Sequence, residues 1–563
     1  MPRVPGICLL TVLSLAACSV PQQADVVIRG GTVYDGGAGE GLVADVVIQG
    51  DRVIAVGDAD GWRGTTEIDA TGKAVTPGFI NMLSWATDSL IEDGLSQADI
   101  RQGVTLEVFG EGWSYGPWNE SMKVLNKSQQ AVIEYDIEWT TLAEYLEYLE
   151  AKGVAPNVAS FVGATTVRIH ELGFEDRAPT AEELERMKAL VRQAMEEGAL
   201  GVGSSLIYAP AFFAETDELV ELVKVAAEYD GLYISHIRNE SYSLLEALEE
   251  LITISREAGI RAEVYHLKAA GEDNFGKIDE VAERIAAARA EGLEISTDMY
   301  TYIAGATGLD AAMPVWVQEG GYEAWAERLR DPAIRVKVLE EMEIISPDWE
   351  NLRLMAGSEG TLLSGFKNEA LRPLQGKTLA EVAAMRGTTP AETAIDLVIE
   401  DGSRVGVIYF LMSEENIAKK IKLPYMSFGS DAGSPATEGK FLEFTPHPRA
   451  YGTFARLLGK YVRDEGVIPL AEAVRRLTGL SADKLKIVER GYLRAGYYAD
   501  IVVFDPETII DNATFEDPHQ YATGVEHVFV NGEQVLADGE HTGATPGRVV
   551  RGPGYSAGSP SKR

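Results

Sequence analysis

The chain has 563 residues, 45% hydrophobic and 24% charged, proportions of an ordinary globular protein and a length beyond a single domain of ~150 residues. Fifty basic against 87 acidic residues leave a net charge of −37. That field repels phosphate backbones and anionic membrane surfaces, so nucleic acid is not an expected partner. Two cysteines exclude a disulfide scaffold and a thiolate-rich metal cluster.

The chain opens on a targeting segment. Arg3 gives a positive start, and Ile7 to Ala17 form an apolar stretch too short to span a bilayer. The stretch ends Leu15-Ala16-Ala17-Cys18, which resembles the lipobox of bacterial lipoproteins. The resemblance implies cleavage after residue 17, a lipid on Cys18, and export to the bacterial cell envelope, with the periplasm as compartment. The membrane is then touched only through that anchor. A plain secretory signal is the alternative and predicts the same compartment.

Beyond the leader, Ala24–Val33 and Ala44–Val53 each read as strand, glycine turn, strand. Related pieces return at Ala499–Asp505 and Val528–Gly532, so the two ends are expected to pair in one small β-sandwich, from residues 24–76 and 485–550. Between about 77 and 475 short apolar strands alternate with amphipathic helices. Candidate strands are Val104–Gly110, Val158–Gly163, Leu200–Leu206, Leu232–His236, Ile260–His266, Ile295–Tyr300 and Met426–Asp431. Thr180-Ala-Glu-Glu183 is a capping box, and Leu184, Met187, Val191 and Ala194 follow on one helix face. This alternation predicts an α/β protein with a parallel (β/α)8 barrel. Residues from about 306 to 424 are too many for one connection. Their capping boxes at Thr378–Glu381 and Thr389–Glu392 predict a helical subdomain inserted near the barrel mouth. The Gly/Ser/Pro-rich tail, 551–563, is expected to be disordered.

A parallel barrel does its chemistry at the carboxyl ends of its strands. Here those ends carry Glu111, His236, His266 and Asp431. Each has a bland reading: a packed histidine, a solvated loop acid, a turn aspartate. Together they would fill one small volume, where unpaired acids and imidazoles are costly. Of the other histidines, His519, His527 and His541 belong to the sandwich region, and His170 reads as a loop residue following Arg168. His447 lies after the last strand and is placed to line the site.

At Val75-Thr-Pro-Gly-Phe-Ile80, Gly198–Pro210, Ser235-His-Ile-Arg-Asn-Glu240, His266-Leu-Lys268 and His447–Phe454 the chain resembles the D-aminoacylase (N-acyl-D-amino-acid deacylase) family of amidohydrolases. The likeness runs from Ala24 to about Gly552. It implies a (β/α)8 barrel with a β-sandwich built from both termini, a divalent metal (usually zinc), and hydrolysis of an N-acyl bond. Position by position, it gives His236 and His266 to the metal and makes Asp431 the catalytic acid/base. It sets Arg449 near the substrate carboxylate, and Tyr300 and Tyr302 at the substrate.

The departures matter as much. Where the family places His-x-His, this chain has Leu83-Ser-Trp85, and neither Leu83 nor Trp85 can bind metal. Where the family has a metal-binding cysteine, this chain has Gly110-Glu111-Gly112, and Ala164 stands in place of a third-strand histidine. Glu111 is therefore expected to be the third ligand, since two histidines and a glutamate form a catalytic zinc set with one open position. A carboxylate resists oxidation outside the cytoplasm and, as a harder donor, admits competition from manganese. The expected cofactor is one divalent ion, Zn2+ first. The expected reaction is attack of a metal-activated water on an N-acyl amino acid, a small-molecule substrate. Asp431 takes the water proton and gives it to the departing amine. Arg449 is the first choice for the substrate carboxylate, with Arg168 and Arg238 as reserves. Lys268, two residues beyond His266, is expected to point to the opposite face from its neighbour if still in the strand, as a structural or supporting residue. The alternatives are an inactive barrel serving as an envelope-anchored binding or scaffold protein, and a cyclic-amide hydrolase or dipeptidase of the same superfamily.

Overall fold

The computed structural model describes residues 21–555. The leader with Cys18, and the chain from residue 556 onward, lie outside that range. Eight parallel strands carry the site. They are β1 (Phe79–Asn81), β2 (Val104–Phe109), β3 (Asn157–Ser160, continued by Val162–Gly163) and β4 (Gly201–Ser205), then β5 (Leu232–His236), β6 (Arg261–Val264), β7 (Ile295–Met299) and β8 (Met426–Phe428). Pairing runs in order from β1 to the first half of β3 and from its second half to β8. The ring closes where Met82 N donates to Phe428 O (3.1 Å) and Asp431 N donates to Leu83 O (2.8 Å). All six residues of β2 are buried, as expected of a strand covered on both faces.

The capping boxes at Thr180, Thr378 and Thr389 all form. In the helix Ala181–Glu196 the residues Met187, Val191 and Ala194 are buried, while Leu184 is only half-buried at the first turn.

Strands from both chain ends join in one nine-stranded sheet, in which Ala74–Pro77 pairs antiparallel with Ile501–Phe504. The expected turn at Gly30-Gly31 is not one. Gln22–Val33 is a single strand whose register shifts between Ile28 and Gly31. Gly30 takes a φ of 66°, and a Cβ on Gly31 would lie 2.4 Å from Val75 Cγ2, so the glycines serve a bulge and a close approach. The second repeat does turn, at Gly50 between Leu42–Gln49 and Arg52–Gly57.

The insertion after β7 is not purely helical. It contains a three-stranded antiparallel sheet of Ala304–Gly308, Gly406–Phe410 and Thr361–Gly365, with its own core that includes Leu309, Trp325, Leu363, Ile395 and Val407. The expected tail disorder does not begin at 551 either. Arg551 donates to Glu147 (2.7 Å), and Gly552 N donates to Gly198 O (2.8 Å).

Candidate metal centre

At the carboxyl rim of the barrel, Glu111 Oε1 lies 3.0 Å from His236 Nδ1 and 3.0 Å from His266 Nε2. The imidazoles stand edge to face, 4.4 Å apart between centroids. All three residues are buried, and their donor atoms lie within 4.8 Å of one another. Each comes from a different strand end. Glu111 follows β2 in a turn flanked by two positive-φ glycines (105° and 69°). A Cβ at Gly110 would meet Phe161 O at 2.4 Å, so the turn seats the glutamate only because its neighbours lack side chains. His266 and Asp431 themselves hold φ of 34° and 50°, left-handed backbone that non-glycine residues adopt at a cost.

A second ring of residues holds the first. Trp85 Nε1 donates to Glu111 Oε2 (2.9 Å). Glu240, one helical turn beyond His236 in sequence, faces both imidazoles: Oε1 is 3.1 Å from His266 Nδ1 and Oε2 is 3.4 Å from His236 Nε2. Lys268 Nζ donates to both Glu240 oxygens (2.8 and 2.9 Å) and lies 2.6 Å from His266 Nδ1. Lys268 is thus a supporting residue beside His266. β6 ends at Val264, so both residues lie beyond the strand. The insertion reaches in as well, where Glu350 Oε1 accepts from Glu240 N (3.0 Å).

Burial opposes charge at each of these groups, and the neighbours decide the outcome. Burial raises the Glu111 carboxyl, but hydrogen bonds to His236 and His266 reverse this and hold it well below the ordinary carboxylate range. Glu240 is likewise held low, against burial, by Lys268 and both imidazoles. Burial lowers His236, which keeps its lone pair available. His266 is pushed up to about 10, because Glu240 and Glu111 outweigh burial and the repulsion from Lys268. The pocket thus favours positive charge at the point between the carboxylates.

The donor set fits a divalent ion. Zinc bonds of about 2.0–2.2 Å in tetrahedral array place donor atoms about 3.3 Å apart, so the two glutamate–imidazole contacts need to widen by only a few tenths of an ångström. Glu240 supplies the outer carboxylate that fixes a ligating imidazole's orientation.

Beside this cluster, Asp431 Oδ2 is 2.8 Å from Arg449 Nη1. Burial raises the Asp431 carboxyl, and Arg449 partly offsets that. The Arg449 guanidinium stacks 4.5 Å from the Tyr300 ring centroid. Arg449 Nε and Tyr300 Oη are both buried without a hydrogen-bond partner.

Other expected contacts are placed elsewhere. Arg168 sits on the helix Ala164–Leu172 and is spent on Glu218 and on the carbonyls of Glu175 and Arg177, so it cannot serve as a reserve for the substrate. His170 shares that helix rather than a loop and bonds Glu171 (2.9 Å). Arg238 forks onto Glu250 (2.9 and 2.8 Å). The Tyr302 hydroxyl is committed to Asp511 (3.0 Å). Both nitrogens of His447 are occupied, Nε2 by Ala304 O (2.9 Å) and Nδ1 by Arg449 N (2.9 Å), which makes it a bracket for Arg449 rather than a substrate contact. His519 and His541 cap the carbonyls of Phe441 (3.1 Å) and Leu95 (3.0 Å).

Sequence reasoning missed Glu240, Trp85 and Glu350 as members of the site. The signal for Glu240 was present: an acid four residues after a strand-end histidine, inside a quoted motif. Glu350 lies 110 residues further along, and nothing local marks it.

Residues 66–536 match the sequence profile of the Amidohydrolase family. The chain is 34% identical over 535 residues to a D-aminoacylase of Alcaligenes xylosoxydans xylosoxydans, covering 94% of this chain and 98% of the relative. A D-aminoacylase structure superposes with a TM-score of 0.78 at 33% identity, covering 94% of this chain and 100% of that one. It is described in terms of a binuclear metal centre with one-metal activation and second-metal attenuation. An N-acyl-D-glutamate deacylase from Bordetella bronchiseptica, complexed with zinc and a phosphonate mimic of the tetrahedral intermediate, superposes with a TM-score of 0.76 at 30% identity, covering 94% of this chain and 100% of that one.

Proposed function

The chain belongs to the amidohydrolase family, and from that premise we propose that it is a metal-dependent hydrolase removing the acyl group from N-acyl-D-amino acids at a single divalent ion, Zn2+ first. The convergence of Glu111 Oε1 on His236 Nδ1 and His266 Nε2 at 3.0 Å each is the observation that supports it above all others. A divalent ion held by these three residues supplies Lewis acidity, which activates water and polarises the acyl carbonyl. The residues do the rest. Asp431 accepts the water proton as its oxygen bonds the acyl carbon, then delivers it to the nitrogen as the C–N bond breaks, because an unprotonated amide nitrogen leaves poorly. Arg449 and Tyr300, whose buried Nε and Oη lack partners, receive the substrate carboxylate, with the Lys268 ammonium 5.8 Å from the Tyr300 ring centre. Such a carboxylate satisfies donors that are otherwise costly to bury.

One ion is the count this chain's residues favour, because Leu83 and Trp85 offer no lone pair to a second. Excess zinc is therefore expected to leave turnover unchanged, unlike the attenuation attributed to the second metal in the D-aminoacylase structure. The likeness of the leader to a lipoprotein signal supports work in the bacterial cell envelope, with Cys18 as the expected anchor point; mass analysis of the exported N-terminus tests that.

The deciding experiment combines metal analysis of the purified mature protein with an amine-release screen across N-acetyl-D- and L-amino acids. Near-stoichiometric metal and D-selective release, both lost in His236→Ala, are expected. Metal-free, inert and folded protein would refute the proposal. Glu111→Ala is expected to strip the metal with the fold intact, and retained metal would remove Glu111 from the ligand set.

A further inference from the structure

We propose that Trp85 is a positioning residue that clamps the outer oxygen of Glu111, so that the glutamate offers one oxygen to one ion and leaves no seat for a second; this rests on the single-ion proposal above. A free carboxylate beside a metal can turn to present both oxygens to one ion or to bridge two. Here the two oxygens have separate tasks. Oε1 faces both imidazoles at 3.0 Å each, and Oε2 accepts from the Trp85 indole N–H at 2.9 Å.

The indole suits this task chemically. Its nitrogen is a donor only, so it can hold a carboxylate oxygen and cannot ligate a cation. Its position in the ring is equally telling. In indole and imidazole alike, one nitrogen lies two bonds from the ring carbon that bears the side-chain methylene. A histidine at position 85 in the same rotamer would put Nε2 where the indole Nε1 now sits, with a lone pair available. The tryptophan thus converts a potential ligand atom into a hydrogen-bond donor without moving it. Leu83, the other residue on this edge of the cluster, is apolar and fully buried.

The clamp is itself fixed. Trp85 N donates to Ala432 O (2.9 Å), which ties the residue to the strand end that carries Asp431. The indole therefore holds Glu111 in register with the acid/base as well as with the imidazoles.

Cobalt substitution of the full mature protein tests this, because the visible spectrum reports coordination geometry. The wild-type protein is expected to bind one equivalent of Co2+ with the intense bands of a four-coordinate site. Trp85→Phe keeps the packing and removes only the N–H. It is expected to show the weaker bands of higher coordination, a cobalt affinity lower by roughly 10- to 100-fold, and more than one equivalent bound at excess metal. Trp85→His puts a lone pair where the N–H now sits and is expected to seat a second equivalent of Co2+ at excess metal, with an altered spectrum. A Trp85→Phe protein with unaltered spectrum, affinity and stoichiometry overturns the clamp. Should that variant fail to fold, folded Trp85→His that keeps the wild-type spectrum and one equivalent at excess metal overturns it equally. Normal cobalt binding without release of amine from any N-acyl-D-amino acid defeats the functional proposal and leaves the clamp standing. Wild-type protein that binds no cobalt defeats both.

Discussion

Asp431 must be a carboxylate when water loses its proton, and two influences pull that equilibrium in opposite directions. Burial raises its pKa, and the Arg449 guanidinium 2.8 Å away lowers it. Turnover that needs the carboxylate is present above this pKa and is lost as pH falls through it. Removing the cation in Arg449→Met leaves burial opposed only by the more weakly acting His266 and Lys268, so the acid limb of kcat is expected to move to higher pH by about 1–3 units. kcat/KM for the anionic substrate is expected to drop by roughly 10- to 100-fold, the worth of a charge-assisted fork. A pH–rate profile of the variant checks both; an acid limb that stays in place separates Arg449 from the acid/base. Glu240→Gln keeps the shape of the side chain that faces both imidazoles and removes its charge. Zinc affinity measured by chelator competition is expected to fall roughly 10- to 100-fold. At this scale the cluster of Glu111, His236 and His266 was legible, because each ends an apolar strand on a titratable side chain. The partner of Lys268 was not. It is Glu240, which reaches the cluster from the segment after β5, a placement that strand periodicity does not encode.

The helix Glu414–Ile421 shows how an element braces the site from behind. Its Lys420 is fully enclosed, and Nζ donates to Leu267 O (2.6 Å), the carbonyl between His266 and Lys268. Burial, joined by repulsion from Lys268, brings the amine down to about 7. In the unfolded chain the same amine titrates near ~10.4. Between about 7 and 10 the unfolded state therefore holds a proton that the folded state has released, and this group makes stability rise with pH across that window. Below about 7 the penalty is complete. Lys420→Met is accordingly expected to stabilise the protein by ~1–4 kcal/mol near pH 6. Toward pH 10 the gain is expected to reverse to a loss of ~1 kcal/mol, the value of the bond to Leu267. Paired thermal melts of variant and parent at the two pH values test the sign, and a gain independent of pH refutes the assignment. Elements were legible where pattern is local: capping boxes, buried strands, and the second of the two strand pairs. The insertion's sheet was not. Ala304–Gly308 reads AGATG, with low strand propensity, and becomes a strand by pairing with residues about a hundred positions away.

At the scale of the molecule, a chain of net charge −37 must admit a substrate that carries a carboxylate. The cations that would receive it are enclosed. Arg449 is paired with Asp431 and Lys268 with Glu240, so neither projects a field far beyond the rim. An approaching anion meets the acidic surface first and the local cations only within the pocket. Screening acts on the first interaction more than on the second, because the Debye length is about 10 Å at 0.1 M salt and buried pairs are screened little. Added salt should therefore help this enzyme, opposite to the usual behaviour of electrostatically steered association. kcat/KM for an N-acyl-D-amino acid is expected to rise by about two- to five-fold between ~20 mM and ~300 mM NaCl. The change belongs in kcat/KM, which includes encounter, and kcat at saturation should stay flat. The corresponding neutral N-acyl-D-amino amide, which lacks the carboxylate, should show no such rise. If instead kcat/KM for the anionic substrate falls with salt, the site's cations reach past the rim and dominate the long-range field despite the surface around them.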